Sequence, residues 1–600
     1  MLKSKIEKKN GYPTLYVEGV ETPAIAYTTY FEERSAYKSF ISHGYRMFFI
    51  NVSFTDQPMN CVQTGFTPFR IGVFENKDEP DYSELDDAAR KILKECPEAL
   101  IIPRITVSMP RWWCESHPSD TADTPKGGRR EGLYSEAFKR DGAELVRKIV
   151  DHVKNSDYAH RVMGWQLCGG QTQEWFYFDF NGSIADAAYE PYKMFCKETY
   201  GIEEVTLPSL EDFKYDTEKG GVDENAIRYA EFCNLSVAKA IDHFAKTIKE
   251  ETNFEQIVGT FYGYMFNVSS PTAGTHGLRA IVNSKNIDFF SSPCAYTYLR
   301  AFGIDWSDMM PVDSIKRAGK LPFIECDIRT YLTTDLNKAR PGGCPEGTYV
   351  TETENGPTVW AGPKTLELSI EALRKSFVHQ LCRGSAIWWF DMWGGWYEDE
   401  RLMRELEFMR ELYVALENND RFELHSEVAL FGDERGHAQL GLGSPLATAY
   451  QDTRIALGNA GAPYDSVMVE DAEDILDNYK AALFVCPAAS EAGRRAMQLC
   501  REKGIPFLTP SLDKPRYTSD EVHEFLRSTE VHIYNDTRDV IYAGNGFVGI
   551  HAASEGKKTI RLPSACRVRA VFGSDFESEN TDAITIELKK SGTALFELYN

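Results

Sequence analysis

Six hundred residues exceed what one hydrophobic core organises, so the chain is expected to divide into two or three domains. A net charge of −24 argues against DNA or an anionic membrane surface as partner. No apolar run approaches the roughly 20 residues that cross a bilayer, and the charged start MLKSKIEKKNGYPTLYVEG lacks the apolar centre of a signal peptide. A cytoplasmic protein with no nucleic-acid or membrane partner is the expectation.

The first 420 residues alternate strand-like runs with amphipathic helical stretches, the pattern of a parallel sheet with helical crossovers. After a small hairpin in KKNGYPTLYVEGVETP come PAIAYTTYF, YRMFFINVSF, LIIPRITVSMP and RVMGWQLCGG as strands one to four. IVGTFYGYMF, IDFFSSPCAY, LPFIECDIRT and SAIWWFDMWGG follow as strands five to eight. Helices are expected in ERSAYKSFISHG, SELDDAARKILKECPEA, SEAFKRDGAELVRKIVDHVKN, around 222–252, and in LELSIEALRKSFVHQLC. Eight such units fit a closed (β/α)8 TIM barrel, whose chemistry sits at the C-terminal strand ends. Polar and aromatic residues cluster at those ends: Asn51, Trp112, Trp113, Glu174, Tyr262, Tyr264, Tyr296, Tyr298, Glu325 and Trp393.

The composition changes near LENNDRFELH. Residues 424–528 read as a small open α/β domain, and 530–600 as short antiparallel strands forming a β-sandwich. The glycines of 424–528 form neither GxGxxG nor GxxxxGK[ST], so no dinucleotide or P-loop site is indicated in that domain. The 13 cysteines are scattered without CxxC pairs or zinc-type Cys/His spacing, which implies buried free thiols and neither metal nor organic cofactor.

Two carboxylates carry the chemical reading. Glu325 follows the apolar run Leu321–Ile324, where a buried strand must emerge, and Glu174 lies beyond strand four. Strands four and seven face each other across an eight-stranded barrel, so their tips can converge on one ligand. Glycoside hydrolysis needs two such groups, one protonated for the leaving oxygen and one ionised at the anomeric carbon. Tyrosine and tryptophan rings supply surfaces on which sugars stack.

The Trp-Gln of strand four, the Glu of strand seven, the Trp-rich strand eight, the two following domains and MPRWWCESHP after strand three together resemble the family 42 β-galactosidases. Those are (β/α)8 retaining glycosidases. The family 164 β-mannosidases are similar in three-domain plan. The resemblance implies a retaining exo-β-glycosidase acting on small β-linked glycosides, with Glu325 as nucleophile. It also implies an amidotransferase-like fold for 424–528, used for contacts in a homotrimer or other homo-oligomer. The family's Asn-Glu pair after Trp-Gln falls on Gly169 and Gly170. The acid/base role therefore goes to Glu174 by geometry, two glycines letting the chain turn back, with Asp179 as fallback.

Arg104 with Tyr296 or Tyr298 is expected to hold Glu325 ionised, and Trp175 or Trp113 to give Glu174 an apolar setting. Tyr262, Trp393 as a sugar platform and Trp360 as a lid complete the expected binding set. His276 reads as a loop histidine, and Cys486 lacks the flanking glycines and partner histidine of a nucleophile. Two alternatives stay open: a sugar-binding scaffold that has lost catalysis, and a glycosidase for modified sugars such as uronides, for which Arg329 and Arg34 would supply charge.

Overall fold

The computed structural model describes residues 1–600 except 57–68, 124–128, 171–172, 178–183, 268–269, 416–421 and 486–488, and the side chain of Tyr450. Asp179 and Cys486 lie outside the described residues.

All eight expected strands form, each shorter than its apolar run: β1 (Ile25–Thr28), β2 (Met47–Ser53), β3 (Leu100–Thr106), β4 (Gly164–Cys168), β5 (Ile257–Thr260), β6 (Phe289–Pro293), β7 (Leu321–Cys326) and β8 (Ala386–Phe390). They close into a parallel barrel in chain order, β8 pairing with β1 from Ile387 opposite Ile25. Every residue of β4, β6, β7 and β8 is buried. Side chains fill the inside and helices cover the outside, which is why these strands read as unbroken apolar runs.

Three helices show how the outer ring is built. Helix α1 (Glu136–Lys154) is capped by the Ser135 hydroxyl, which accepts from the Phe138 N–H. Helix α2 (Glu224–Glu251) is capped by Asp223, and its Phe244 ring packs 5.3 Å from Phe138 of α1. Helix α3 (Leu366–Arg383) starts at the Thr365 cap and ends at Gly384 in the left-handed conformation. Each cap satisfies backbone groups the helix leaves unpaired. The N-terminal hairpin, Ser4–Lys9 with Tyr12–Val17, turns at Asn10-Gly11 with both φ positive. It lies beneath the barrel, Leu2 N–H donating to Val162 O just before β4.

Beyond the barrel, β9 (Val428–Gly432), β10 (Asp465–Met468), β11 (Ala481–Phe484) and β12 (Phe507–Leu508) form a parallel sheet in the order β10-β9-β11-β12. Five antiparallel strands follow: β13 (Val540–Gly544), β14 (Phe547–His551), β15 (Gly556–Phe572), β16 (Glu577–Leu588) and β17 (Thr593–Tyr599). Here the expectation needs correction. KKTIRLPSA and RVRAVFGS are one 17-residue strand, and the described strands make a single five-stranded sheet in the order β13-β14-β17-β15-β16. Register shifts between Arg561 and Cys566, Cys566 and Val568, and Ala570 and Phe572 let β15 continue through what reads as a turn while pairing with both β16 and β17.

The 11 cysteines among the described residues are buried and free, as their spacing implies. No helix among the described residues is long and apolar enough to cross a membrane.

Candidate active site

At the tip of β7, Glu325 sits in register between Pro293 of β6 and Trp388 of β8 and is 2% exposed. Two residues on, Asp327 is fully buried and collects two cationic donors, Arg300 Nη2 at 2.5 Å and Arg329 Nη1 at 2.5 Å, and the neutral Tyr296 hydroxyl at 2.8 Å. Arg300 reaches it from a left-handed turn in which Tyr298, Leu299 and Arg300 have φ of 44°, 57° and 53°. Three consecutive non-glycine residues in that region persist only where tertiary contacts hold them. The Arg300 bonds to Cys294 O, Asp327 O and Asp327 Oδ1 do so.

Arg104 rises from β3 into the barrel centre. Its Nε donates to Cys168 Sγ at 3.1 Å, and its guanidinium lies 4.8 to 5.3 Å from the rings of Phe261, Tyr30 and Trp388. The expectation that Arg104 and the tyrosines hold Glu325 ionised is corrected by this arrangement. Burial pushes the Glu325 carboxyl well above the usual carboxylate range, and Asp327 pushes it further. Arg104 opposes this, Glu174 adds to it, and Arg300 opposes it. Tyr296 and Arg300, which could have donated to Glu325, donate to Asp327 instead, and Glu325 Oε2 has no hydrogen-bond partner among the described residues.

The tip of β4 is built differently. The Gly169 N–H donates to Gln173 O at 3.1 Å and the Trp175 N–H to Gly169 O at 2.8 Å, so the chain comes back on itself and Glu174 bridges in parallel to Gly169. Gly170, Gln173 and Trp175 all have positive φ, at 67°, 68° and 64°. A Cβ on Gly169 would stand 2.7 Å from the Trp175 ring, and one on Gly170 2.6 Å from Phe176 O. The glycines therefore admit the return. The half-buried Glu174 acts electrostatically on Glu325, Tyr30, Cys168 and Tyr264, raising each. Trp175 forms the floor under it, fully buried and stacked 6.2 Å from Phe244 of α2.

The other expected residues divide. Tyr296 lies with the carboxylates through Asp327. Trp393 and Trp360 pack together, 5.6 Å between rings, with Trp396 perpendicular to Trp393 at 5.0 Å. Trp393 is fully buried, its indole N–H donating to Thr334 O. Three expectations are corrected. Trp113 turns outward to α1, donating to Asp141 at 2.9 Å and stacking on His117, because a short helix Arg111–Ser116 starts right after β3. Tyr262 uses its hydroxyl on the 274–277 loop, donating to Gly274 O and accepting from Gly277 N–H. Tyr298 is 63% exposed and reaches Asp452, carried away by the left-handed turn. His276 is a buried loop histidine stacked 3.9 Å from His437.

Four residues that the sequence does not single out, Tyr30, Cys168, Arg300 and Asp327, complete the cluster, together with Tyr264, which the sequence places at a strand end but not in the expected binding set. Asp327 had a signal, the alternation Glu325-x-Asp327-x-Arg329. Arg300 had none, since nothing local marks a turn that returns a side chain to β7.

No family model matches the chain, and no curated protein matches it. Solved structures do. A β-galactosidase from Bacillus circulans sp. alkalophilus superposes with a TM-score of 0.62 at 12% identity, over 96% of this chain and 99% of that one. A β-galactosidase from the haloarchaeon Halorubrum lacusprofundi gives 0.58 at 14%, over 96% and 98%. An exo-carrageenase GH42 from Bacteroides ovatus gives 0.60 at 12%, over 99% and 84%. At these identities the likeness is one of fold, and it extends over nearly the whole chain.

Proposed function

We propose that the chain is a glycoside hydrolase that cleaves small β-linked glycosides with retention, Glu325 acting as nucleophile and Glu174 as acid/base. The observation that carries this reading is the return of Glu174 beside Gly169 at the tip of β4, where its charge acts on Glu325 at the tip of β7. The solved structures of similar fold, two β-galactosidases and an exo-carrageenase, lend it support.

In the first step Glu174 gives its proton to the glycosidic oxygen while the Glu325 carboxylate attacks the anomeric carbon. The aglycone leaves and a glycosyl ester forms. Water then loses a proton to Glu174, attacks the same carbon and frees Glu325. The coupling of the two groups suits this cycle. Burial and the Asp327 charge raise the Glu325 carboxyl, Arg104 and Arg300 oppose them, and a negative Glu174 adds to the rise, so a proton on Glu174 removes one of the influences that disfavour the carboxylate. In this reading 1–420 is the catalytic barrel, 424–528 serves contacts in a homotrimer, and 530–600 completes the chain. β-Galactosides and β-mannosides are the first substrates to try.

The test is hydrolysis of aryl β-glycosides by wild type, Glu174→Ala and Glu325→Ala. Turnover abolished by Glu325→Ala, with azide rescuing Glu174→Ala to give a β-glycosyl azide, is the expected result. Turnover that survives Glu325→Ala would overturn the assignment.

A further inference from the structure

Arg329, four residues beyond Glu325, is 4% exposed and uses only part of its guanidinium. Its Nη1 donates to Asp327 O at 2.8 Å and Asp327 Oδ2 at 2.5 Å. Its Nε and Nη2 are buried and have no acceptor among the described residues. These two atoms form the side edge of the guanidinium, the edge that meets a carboxylate with two parallel hydrogen bonds. In two other arginines that edge is filled in this way: Arg374 Nε and Nη2 hold Glu405, and Arg340 Nε and Nη2 hold Glu33. A buried charged donor pair left unsatisfied is costly, so an acceptor is to be expected there.

The surroundings select the acceptor. Arg329 lies among the rings of Trp360, Trp396 and Tyr296, at 4.8, 5.2 and 5.3 Å, and the buried Trp396 Nε1 is a further donor without a partner among the described residues. Asp327 is shared with Arg300 and Tyr296, so one carboxylate faces two guanidinium groups. Arg34, the other arginine that could have served, is engaged with Trp393 O and Gly394 O. Trp360 joins this corner to Trp393, so the unpaired edge of Arg329 lies among the aromatic residues near the carboxylate cluster.

We propose that the Nε–Nη2 edge of Arg329, with the indole N–H of Trp396, is a subsite for an oxyanion carried by the sugar, a uronate carboxylate or a sulfate ester, so that the substrate is an acidic β-glycoside. This rests on the glycosidase reading above and narrows its substrate class.

Aryl β-glycosides of gluco, galacto and manno configuration, carrying hydroxymethyl, carboxylate or sulfate-ester groups at C6, are compared on wild type, Arg329→Gln and Arg329→Lys. Lysine keeps a cation for Asp327 but lacks the two-donor edge, and thermal melting verifies folding of each variant. The expected result is an anionic-to-neutral ratio of kcat/KM of roughly 10 to 150 in wild type, the range of a charged hydrogen-bonded pair, which both variants collapse. Which anion is preferred identifies the oxyanion. Preference for the neutral sugar, or an anionic preference that folded Arg329→Lys retains, overturns the subsite and leaves the glycosidase reading standing. Should no glycoside turn over, calorimetric titration of wild type and Arg329→Lys with glucuronate, galacturonate and galactose 6-sulfate separates the two readings. Binding lost in Arg329→Lys upholds the subsite while the hydrolase reading fails, and absence of binding overturns both.

Discussion

The tips of β4 and β7 both present carboxylates to the same cluster, Glu174 from one and Glu325 with Asp327 from the other, yet they are made by opposite means. On β7 Glu325 lies within the strand, in register with its neighbours, and Asp327 and Arg329 follow at alternate positions just beyond its end at Cys326. On β4 the strand stops at Cys168, two glycines replace side chains, and Glu174 arrives by a return held by the Gly169–Gln173 and Trp175–Gly169 hydrogen bonds. A group delivered by strand periodicity is positioned by the barrel itself. A group delivered by a return depends on a few positive-φ residues and on the absence of two Cβ atoms.

Substitutions that remove chemistry should separate the two tips most. Glu325→Ala is expected to lower kcat on aryl β-glycosides by about 10⁴-fold or more whatever the leaving group. Glu174→Ala should cost about 10²- to 10⁴-fold on poor leaving groups and much less on good ones, since an acid matters only where the leaving oxygen needs a proton. Equal sensitivity of both variants to leaving-group acidity would erase the distinction.

On the β7 side, Asp327→Asn leaves the buried Arg300 and Arg329 without their shared counter-charge. A loss of about 3–5 kcal/mol in urea unfolding is expected, as for breaking a buried pair by removing one partner. A variant as stable as wild type would mean the arginines are satisfied elsewhere.

For β4 the sharper test is Gly170→Ala. Positive φ and the 2.6 Å approach to Phe176 O predict a loss of about 1–3 kcal/mol, accompanied by the Glu174→Ala pattern of leaving-group dependence. Gly201→Ala, at φ 70° with no atom within 4 Å of a new Cβ, is the control. It carries the backbone strain without the collision and should leave turnover alone. If Gly170→Ala keeps full activity on poor leaving groups, the return does not position the acid.

The remaining effect, spread over several pH units, concerns the end of β8. Asp391 is fully buried, and burial pushes its carboxyl to about 7 even though the Trp396 and Gly395 N–H groups donate to it. The folded chain therefore holds this proton more tightly than the unfolded chain. Its contribution to stability is greatest below about pH 4 and declines as pH rises toward 7, with a slope of at most about 1.4 kcal/mol per pH unit. Asp391→Asn should flatten that decline in urea unfolding series, and an unchanged slope would place the titration elsewhere.

Much of the fold was legible because barrel strands are buried on both faces and so stand out as apolar runs, LPFIECDIRT and SAIWWFDMWGG most clearly. The long strand β15 was misread because Pro563, Ser564 and Ala565 signal a turn locally, whereas pairing with β16 and β17 carries the chain through. Within the site, Glu325 was readable from its place after four apolar residues. Trp113, Tyr262 and Tyr298 were not, since side chains at strand exits leave the alternation that assigns a face, and the short helix at Arg111–Ser116, the 274–277 loop and the left-handed turn at Tyr298–Arg300 then redirect them.

The sequence by itself determined the barrel, the order of its strands and the carboxylate of β7, because hydrophobic periodicity is a local property that burial reads directly. Only the tertiary structure decided that Arg300 and Arg329 close on Asp327 rather than Glu325, that Tyr264 rather than Tyr262 faces the carboxylates, and that Glu174 returns beside Gly169. Those outcomes turn on single φ values and on contacts between segments far apart in the chain, and no local pattern of residues encodes either.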